Sequence, residues 1–201
     1  MSRAESKART RQALLSAATS VFLAQGYRSA TIADVAAAAG TSVGAIYAHF
    51  QSKDGLLLAV IDAVSDSEIA AVRSMTEQHG LGRALAAGIH PVSSQDGAHL
   101  VSAELWLEIA RNEDLGERLR EVSEQRRQQL AEIVALERHR RGDVVWPATD
   151  EEVAAVILAI RGGLARHRHD HPGTLSHDLY GRCLEWVFTG LGTLGSAHEP
   201  R

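Results

Sequence analysis

Residues 31–50 restrict the fold of this chain more than any other stretch, because they have the pattern of two short helices joined by a tight turn. Thr31 can cap the first helix, and Asp34, three residues later, is placed to bond back to the cap in a capping box. A run of four alanines then favours helix and carries little bulk, so a second helix can cross close to the first. Gly40 stands where the first helix must end in a left-handed residue.

The second helix of this pattern has its own cap and one apolar stripe. Thr41 or Ser42 can cap it. Apolar side chains then recur at i, i+3, i+4 and i+7, at Val43, Ile46, Tyr47 and Phe50. Helix, glycine turn and capped helix form the helix-turn-helix pattern, whose second helix enters the major groove of DNA. Capped helices that meet at a glycine also occur in ordinary bundles, so the pattern alone leaves a purely structural role open.

The flanking residues extend this pattern. The run from Gly26 to Leu57 resembles the DNA-binding region of the TetR (tetracycline-repressor-like) family of transcriptional regulators. The matching positions are Gly26-Tyr27, Thr31, Val35-Ala36, Ala39-Gly40, Ser42, Gly44, Ile46-Tyr47, His49-Phe50, Ser52-Lys53 and Leu56-Leu57. The chain departs from the usual pattern at Ala30, where a second threonine is common, and this change affects one possible phosphate contact. Thr41 and Asp54 stand where valine and glutamate are common.

The resemblance implies an all-α, homodimeric regulator that binds operator DNA, most often a repressor, and that is released by a small-molecule effector. The residues expected to contact DNA are Arg28, Thr31, Thr41, Ser42, Val43, Gly44, Ala45, Tyr47, His49 and Lys53. Tyr47 and His49 diverge by about 200° around a helix, so they cannot face the same base. Tyr47 is the better candidate for the groove, whereas the resemblance implies that His49 and Lys53 bind phosphates.

The second helix has few side chains that can read bases. It contains no Arg, Asn or Gln, the residues that make bidentate contacts to base edges. We therefore expect recognition to depend on methyl contacts to thymine, a hydroxyl from Ser42 or Tyr47, and the shape of the DNA.

The distribution of charge agrees with a DNA-binding N-terminal part. The chain has a formal net charge of −4, yet its first 55 residues hold six basic against three acidic residues. A single cysteine, Cys183, excludes an intramolecular disulfide and fits a reducing compartment. Because no apolar run approaches membrane-spanning length, we expect a cytoplasmic protein without a membrane partner.

Helical periodicity predicts the rest of the fold. We expect an N-terminal three-helix DNA-binding domain over residues 1–54 and a helical bundle for effector binding and dimerisation over residues 55–201, with the boundary inside one long helix. Residues 1–8 have the composition of a disordered tail. The predicted helices cover residues 9–25, the helix-turn-helix, 53–79, 81–88, 98–111, 114–138, 151–166 and, after the cap Ser176, 177–194.

Two sets of residues in the bundle are candidates for binding. Aromatic, flexible apolar and a few polar side chains are expected to line an effector pocket, at Met75, Leu100, Glu104, Trp106, Trp146 and Tyr180. Small or apolar residues on the last two helices are expected to pair two subunits, at Ala155, Ala159, Gly163, Leu179, Cys183, Trp186, Val187 and Gly190. Each set can also belong to the core of a single subunit.

The segment His167–His171, together with His177, suggests a different function. Its His-x-His-x-His spacing suits an extended chain, which could fold back to hold a metal ion. Arg168 would then lie beside the cation, so we favour a solvated loop and predict neither metal nor cofactor. The alternative function is a metal-binding or scaffolding helical protein. An enzyme is not expected, because the chain has neither a phosphate-binding loop nor a local Ser/His/Asp set.

Overall fold

The computed structural model describes residues 2–88, 112–142, 145–176 and 178–196, and every regular element in these ranges is a helix. The helices are α1 (Arg3–Gln25), α2 (Ile32–Ala38), α3 (Val43–Phe50), α4 (Lys53–His79), α5 (Leu81–Gly88), α6 (Glu113–Arg140), α7 (Asp150–Asp170) and α8 (Leu179–Ser196). The prediction of an all-α fold with an N-terminal helix-turn-helix is confirmed. The helix predicted over residues 98–111 lies outside the described residues. None of the described helices combines the length and apolarity needed to cross a membrane.

The first helix begins earlier than predicted. α1 starts at Arg3, so the prediction of a disordered tail is wrong for residues 3–8. Ser2 caps the helix: its hydroxyl accepts from the Glu5 N–H at 3.1 Å, and its own N–H donates to the Glu5 carboxylate at 2.8 Å. This capping box satisfies two N–H groups that a helix end would otherwise leave unpaired. The basic residues that suggested a tail therefore lie on a helix.

The helix α7 ends later than predicted. α7 continues to Asp170, and the His171 N–H closes its last turn on the His167 carbonyl at 2.8 Å. The extended spacing assumed for the histidine segment is therefore wrong, because His167 and His171 lie one helical turn apart. α8 begins at Leu179, whose N–H donates to the carbonyl of Ser176, the predicted cap.

The described residues divide into two compact units. The first unit contains residues 2–65 and 112–122, and the second contains residues 66–88 and 123–196, so the division falls within α4 and within α6. The boundary predicted after Asp54 lies earlier in α4 and remains a prediction.

Each unit has its own apolar core. The core of the first unit comprises Leu14, Leu15, Ala18, Val21, Phe22, Ala30, Val35, Ala36, Ile46, Phe50, Leu56, Leu57 and Val60. That of the second comprises Ile69, Val72, Leu81, Ala84, Leu85, Leu130, Ala131, Ile133, Val134, Trp146, Val153, Ala154, Ile157, Tyr180, Leu184 and Phe188. In both units these side chains recur at helical spacing, so one face of each helix is buried.

Candidate functional site

The start of α2 is fixed by the capping box that the sequence predicts. The Thr31 hydroxyl accepts from the Asp34 N–H at 3.1 Å, and the Thr31 N–H donates to the Asp34 carboxylate at 2.8 Å. Hydrogen bonds from the hydroxyl and the N–H of Thr31 hold the pKa of Asp34 below its ordinary value. The carboxylate is therefore ionised at neutral pH and faces the positive end of the α2 dipole.

The turn between α2 and α3 also follows the prediction. Gly40 has a φ of +61°, the left-handed conformation that favours glycine. The Thr41 N–H then donates to the Ala36 carbonyl at 2.9 Å, which closes the end of α2. Of the two predicted caps of α3, Ser42 has this role, because its hydroxyl accepts from the Ala45 N–H at 3.2 Å.

The apolar stripe of α3 divides into a buried row and an exposed row. Ile46 and Phe50 are buried, whereas Val43 is 40% exposed and Tyr47 is 50% exposed. The two rows lie about 60° apart around the helix, and only one of them packs on the core. Large apolar side chains that remain exposed on a short, fixed helix indicate a face for a partner.

Lys53 lies against the loop that precedes α2. Its Nζ donates to the Arg28 carbonyl at 3.3 Å and lies 4.5 Å from the centre of the Tyr27 ring. The hydroxyl of Ser52 accepts from the Gly55 N–H at 2.9 Å and so caps α4. The ammonium group is thereby placed at the first turn of α4.

A second contact at the start of α4 was missed by the sequence analysis. The Asp54 carboxylate accepts from the Tyr27 hydroxyl and, at 3.0 Å, from the side-chain amide of Asn112. The carbonyl oxygen of the same amide accepts from the Leu115 N–H at 3.1 Å and caps α6. An asparagine directly before a predicted helix is a cap signal, but its distant partner is set by the tertiary fold.

All the residues predicted to contact DNA lie in the first unit. Arg28, Thr31, Ser42 and Gly44 are exposed, as are Val43 and Tyr47, and the remaining members are half-buried: Thr41, Ala45, His49 and Lys53. An added Cβ at Gly44 would approach only the Ser42 hydroxyl, at 3.8 Å, so the backbone of the first turn of α3 is open to a partner. The structure contains no DNA, so their contacts with it remain a prediction.

Known proteins resemble this chain in sequence and in fold. A family model described as bacterial regulatory proteins, tetR family, matches residues 14–60. The regulator TtgR of Pseudomonas putida is 27% identical over 92% of this chain and 91% of its own length. The repressor BepR of Brucella suis is 26% identical over 78% of each chain. The structure of the regulator FadR of Bacillus subtilis in complex with stearoyl-CoA has a TM-score of 0.66 at 16% identity, covering 86% of this chain and 94% of FadR.

Over residues 14–60 the chain therefore matches the TetR family. The family predicted from residues 26–57 is therefore confirmed, and with it the function of a DNA-binding transcriptional regulator.

The second unit contains a small cavity of about 20 Å³. It is lined by Glu68, Ile69, Val72, Leu85, Arg126, Leu130, Ile157, Leu158, Arg161 and Tyr180. Of the predicted pocket residues, Tyr180 lines this cavity. Trp146 belongs to the core of the unit and Met75 packs against that core, but neither lines the cavity. Leu100, Glu104 and Trp106 lie outside the described residues.

Three charged side chains meet at this cavity. The Glu68 carboxylate accepts from both terminal nitrogens of Arg161, at 2.8 Å each, and from Nη2 of Arg126 at 2.7 Å. The Tyr180 hydroxyl donates to the Ile157 carbonyl at 3.4 Å, and burial raises the pKa of this hydroxyl, so it stays protonated. Nε of Arg126 is buried, and no acceptor lies within hydrogen-bond distance among the described residues.

The residues predicted to pair two subunits lie largely outside the core of the single chain. Ala155, Ala159 and Gly163 are exposed on α7, and Trp186 is 63% exposed on α8. The remaining members are half-buried: Leu179, Cys183, Val187 and Gly190. The opposite faces of these helices supply core residues such as Ala154 and Leu184. These residues therefore form one exposed strip on α7 and a second, partly exposed strip on α8, and both are available to a second subunit. The structure contains one chain, so the pairing remains a prediction.

The histidine segment does not gather a set of metal ligands in the residues that can be described. His167 and His171 lie with their ring centres 4.8 Å apart, and the Thr174 hydroxyl lies 3.2 Å from Nε2 of His167. No group of three His, Cys, Asp or Glu side chains in the described ranges is placed to hold a metal ion. His177 lies outside those ranges.

Proposed function

We propose that this protein is a homodimeric repressor that binds a two-fold symmetric operator through α3 and leaves it when a small molecule occupies the second unit. The observation that carries the proposal is the exposed face of α3, on which Val43 and Tyr47 stand beside the open first turn. No catalytic role is proposed, and the place of action is the cytoplasm.

Several observations support the finer parts of this proposal. A repressor role agrees with BepR, a relative that is a transcriptional repressor. FadR, which shares the fold, has been solved in complex with stearoyl-CoA, so a protein of this fold can bind a ligand. A symmetric operator requires two recognition helices about one DNA turn apart, near 34 Å, and the exposed strips on α7 and α8 offer the surface for such a pair.

Selection from sheared genomic DNA tests the DNA-binding function directly. The wild-type protein is expected to retain a small set of fragments that share a two-fold symmetric sequence, and deletion of its gene should raise transcription from the adjoining promoters. Tyr47→Ala should weaken binding to a retained fragment at least about fivefold, because aromatic side chains at interfaces often contribute more than 1 kcal/mol.

The control is Leu136→Ala on α6, another partly exposed large apolar residue, which should leave DNA affinity unchanged. Thermal unfolding of both variants checks that the fold is intact. Equal DNA affinity of Tyr47→Ala and wild type would show that the exposed face of α3 does not read the operator.

A further inference from the structure

We propose that the effector is an organic monocarboxylate with an apolar body, and that Arg126 holds its carboxylate in the cavity of the second unit. This inference rests on the proposed function only in naming the ligand an effector. The binding site itself stands on the contacts of the cavity and can be tested without DNA.

The charge of the cavity favours an anion. Two guanidinium groups share the single carboxylate of Glu68, so the three side chains together carry one excess positive charge. Their exposure is only 12% for Glu68, 25% for Arg126 and 28% for Arg161. Uncompensated charge is costly at partly buried sites with apolar walls, and a ligand with one negative charge would remove the excess.

The hydrogen bonds of the cluster place the ligand on Arg126. Glu68 already fills the planar fork of Arg161 with two bonds, whereas Arg126 gives Glu68 only Nη2. Nε of Arg126 is buried without an acceptor in the described part of the chain. More than nine in ten buried polar groups have a partner, so an unpartnered donor beside a cavity indicates a missing acceptor. A carboxylate suits this position because its two oxygens match the geometry of a guanidinium.

The remaining walls favour an apolar body on the same ligand. Apart from Tyr180 and the charged cluster, the lining consists of aliphatic side chains: Ile69, Val72, Leu85, Leu130, Ile157 and Leu158. At about 20 Å³ the cavity has room for about one water molecule. This is less than a carboxylate occupies, so binding of the ligand must widen the cavity, and this widening is the change of shape that an effector requires.

Calorimetry with three acids of increasing length provides the first test. Butanoate, octanoate and dodecanoate are each compared at neutral pH with the primary amide and the primary amine of the same length. At least one carboxylate is expected to bind, and its amide and amine should bind at least tenfold more weakly. Absence of binding by all three acids, or equal binding of an acid and its amide, would overturn the inference.

Two substitutions that change the net charge of the cavity in opposite directions provide the second test. Arg126→Gln should weaken carboxylate binding at least tenfold, whereas Glu68→Gln should strengthen it, because it removes the internal carboxylate that competes for the arginines. The control is Arg73→Gln, whose partner Glu132 lies at 2.6 Å on the surface, and it should leave binding unchanged. If both cavity variants weaken binding, the cluster has only a structural role and the inference is wrong.

Thermal unfolding establishes that each variant is folded. If Arg126→Gln does not fold, Arg126→Lys replaces it, because lysine keeps the charge and loses the planar fork. Operator binding by the same preparations separates this inference from the proposed function. Specific DNA binding without binding of any acid would refute the monocarboxylate alone. Binding of an acid as predicted, without retention of any DNA fragment, would refute the proposed function alone.

Discussion

Lys53 is held in place by two contacts within the chain. Its Nζ bonds the Arg28 carbonyl and lies over the Tyr27 ring, a cation–π contact worth about 0.5–1 kcal/mol at exposed sites. A free lysine side chain loses rotamer entropy when it meets a phosphate. A side chain already restricted in this way loses less, so Lys53 is suited to a contact with the DNA backbone.

Substitution of Lys53 by alanine tests its predicted contact with the DNA backbone. Because a phosphate contact carries no sequence information, the variant should weaken binding to operator and to unrelated DNA by similar factors. The slope of log affinity against log salt should fall by about one. Mobility shifts over a range of salt concentrations measure both effects. Arg166→Ala, on an exposed arginine paired with Asp170, is the control. A loss confined to the operator would instead assign Lys53 to base recognition.

The helices whose ends are set by residues nearby in the sequence were predicted best. The capping box of α2, the left-handed Gly40 and the cap of α3 involve residues no more than a few positions apart, so the sequence suffices to predict them. The start of α1 was missed because its charged residues suggested a tail, although Ser2 and Glu5 form a capping box.

The cavity cluster could not be predicted in the same way. Glu68, Arg126 and Arg161 lie on three different helices, and only tertiary packing brings them together. A partial signal existed, because each occupies a position on the apolar stripe of its helix. Glu68, for example, lies four residues after Val64 and four before Val72. A charged residue at such a position is a candidate for a buried polar site.

The start of α5 depends on a residue of another helix. Glu137 of α6 is fully buried, and its carboxylate accepts from the Leu81 N–H at 3.0 Å, from Arg140 at 3.1 Å and from Arg141 at 2.7 Å. Burial acts to raise the pKa of Glu137, but hydrogen bonds from Arg140, the Leu81 N–H and Arg141 outweigh it and hold the pKa below its ordinary value. The ionised carboxylate therefore stabilises the fold.

Acid unfolding should reveal this contribution. A lowered folded-state pKa gives stability that is present above the ordinary value of 4.5 and is lost as the pH falls through the folded value. Glu137→Gln should reduce the free energy of unfolding by about 1–3 kcal/mol at neutral pH, and the difference from wild type should shrink in acid. Denaturant titrations at several pH values measure this difference in the free energy of unfolding. The exposed Glu132→Gln should cost at most about 1 kcal/mol, and a difference for Glu137→Gln that is independent of pH would contradict the assigned role.

The strip of Ala155, Ala159 and Gly163 on α7 bears on the oligomeric state of the whole molecule. Beyond its neighbours and the backbone of its own helix, an added Cβ at Gly163 meets no atom of the described residues within 4 Å. Gly163→Leu should therefore be tolerated in a single subunit, whereas in a dimer it would force a partner helix away. Overpacking of this kind costs roughly 1–3 kcal/mol per site, and a two-fold interface contains the site twice.

We expect Gly163→Leu to shift the protein from dimer to monomer in sedimentation experiments and to lower operator affinity with it. Gly82→Leu, at a helical glycine that is equally open within the chain, is the control and should remain dimeric. A dimer that survives Gly163→Leu with normal operator affinity would show that this strip lies outside the interface.

The hydrogen bond between Asp54 and Asn112 has a consequence for recombination among related regulators. The first unit is assembled from two separate parts of the chain, residues 2–65 and 112–122, and this bond joins them. A crossover after residue 65 would transfer α1 to α3 and the first part of α4, with Asp54, to a new protein but leave Asn112 behind. Asp54 would then lose one partner. Exchange of DNA-reading parts should therefore preserve function most often when the recipient carries an amide side chain at the start of its own α6.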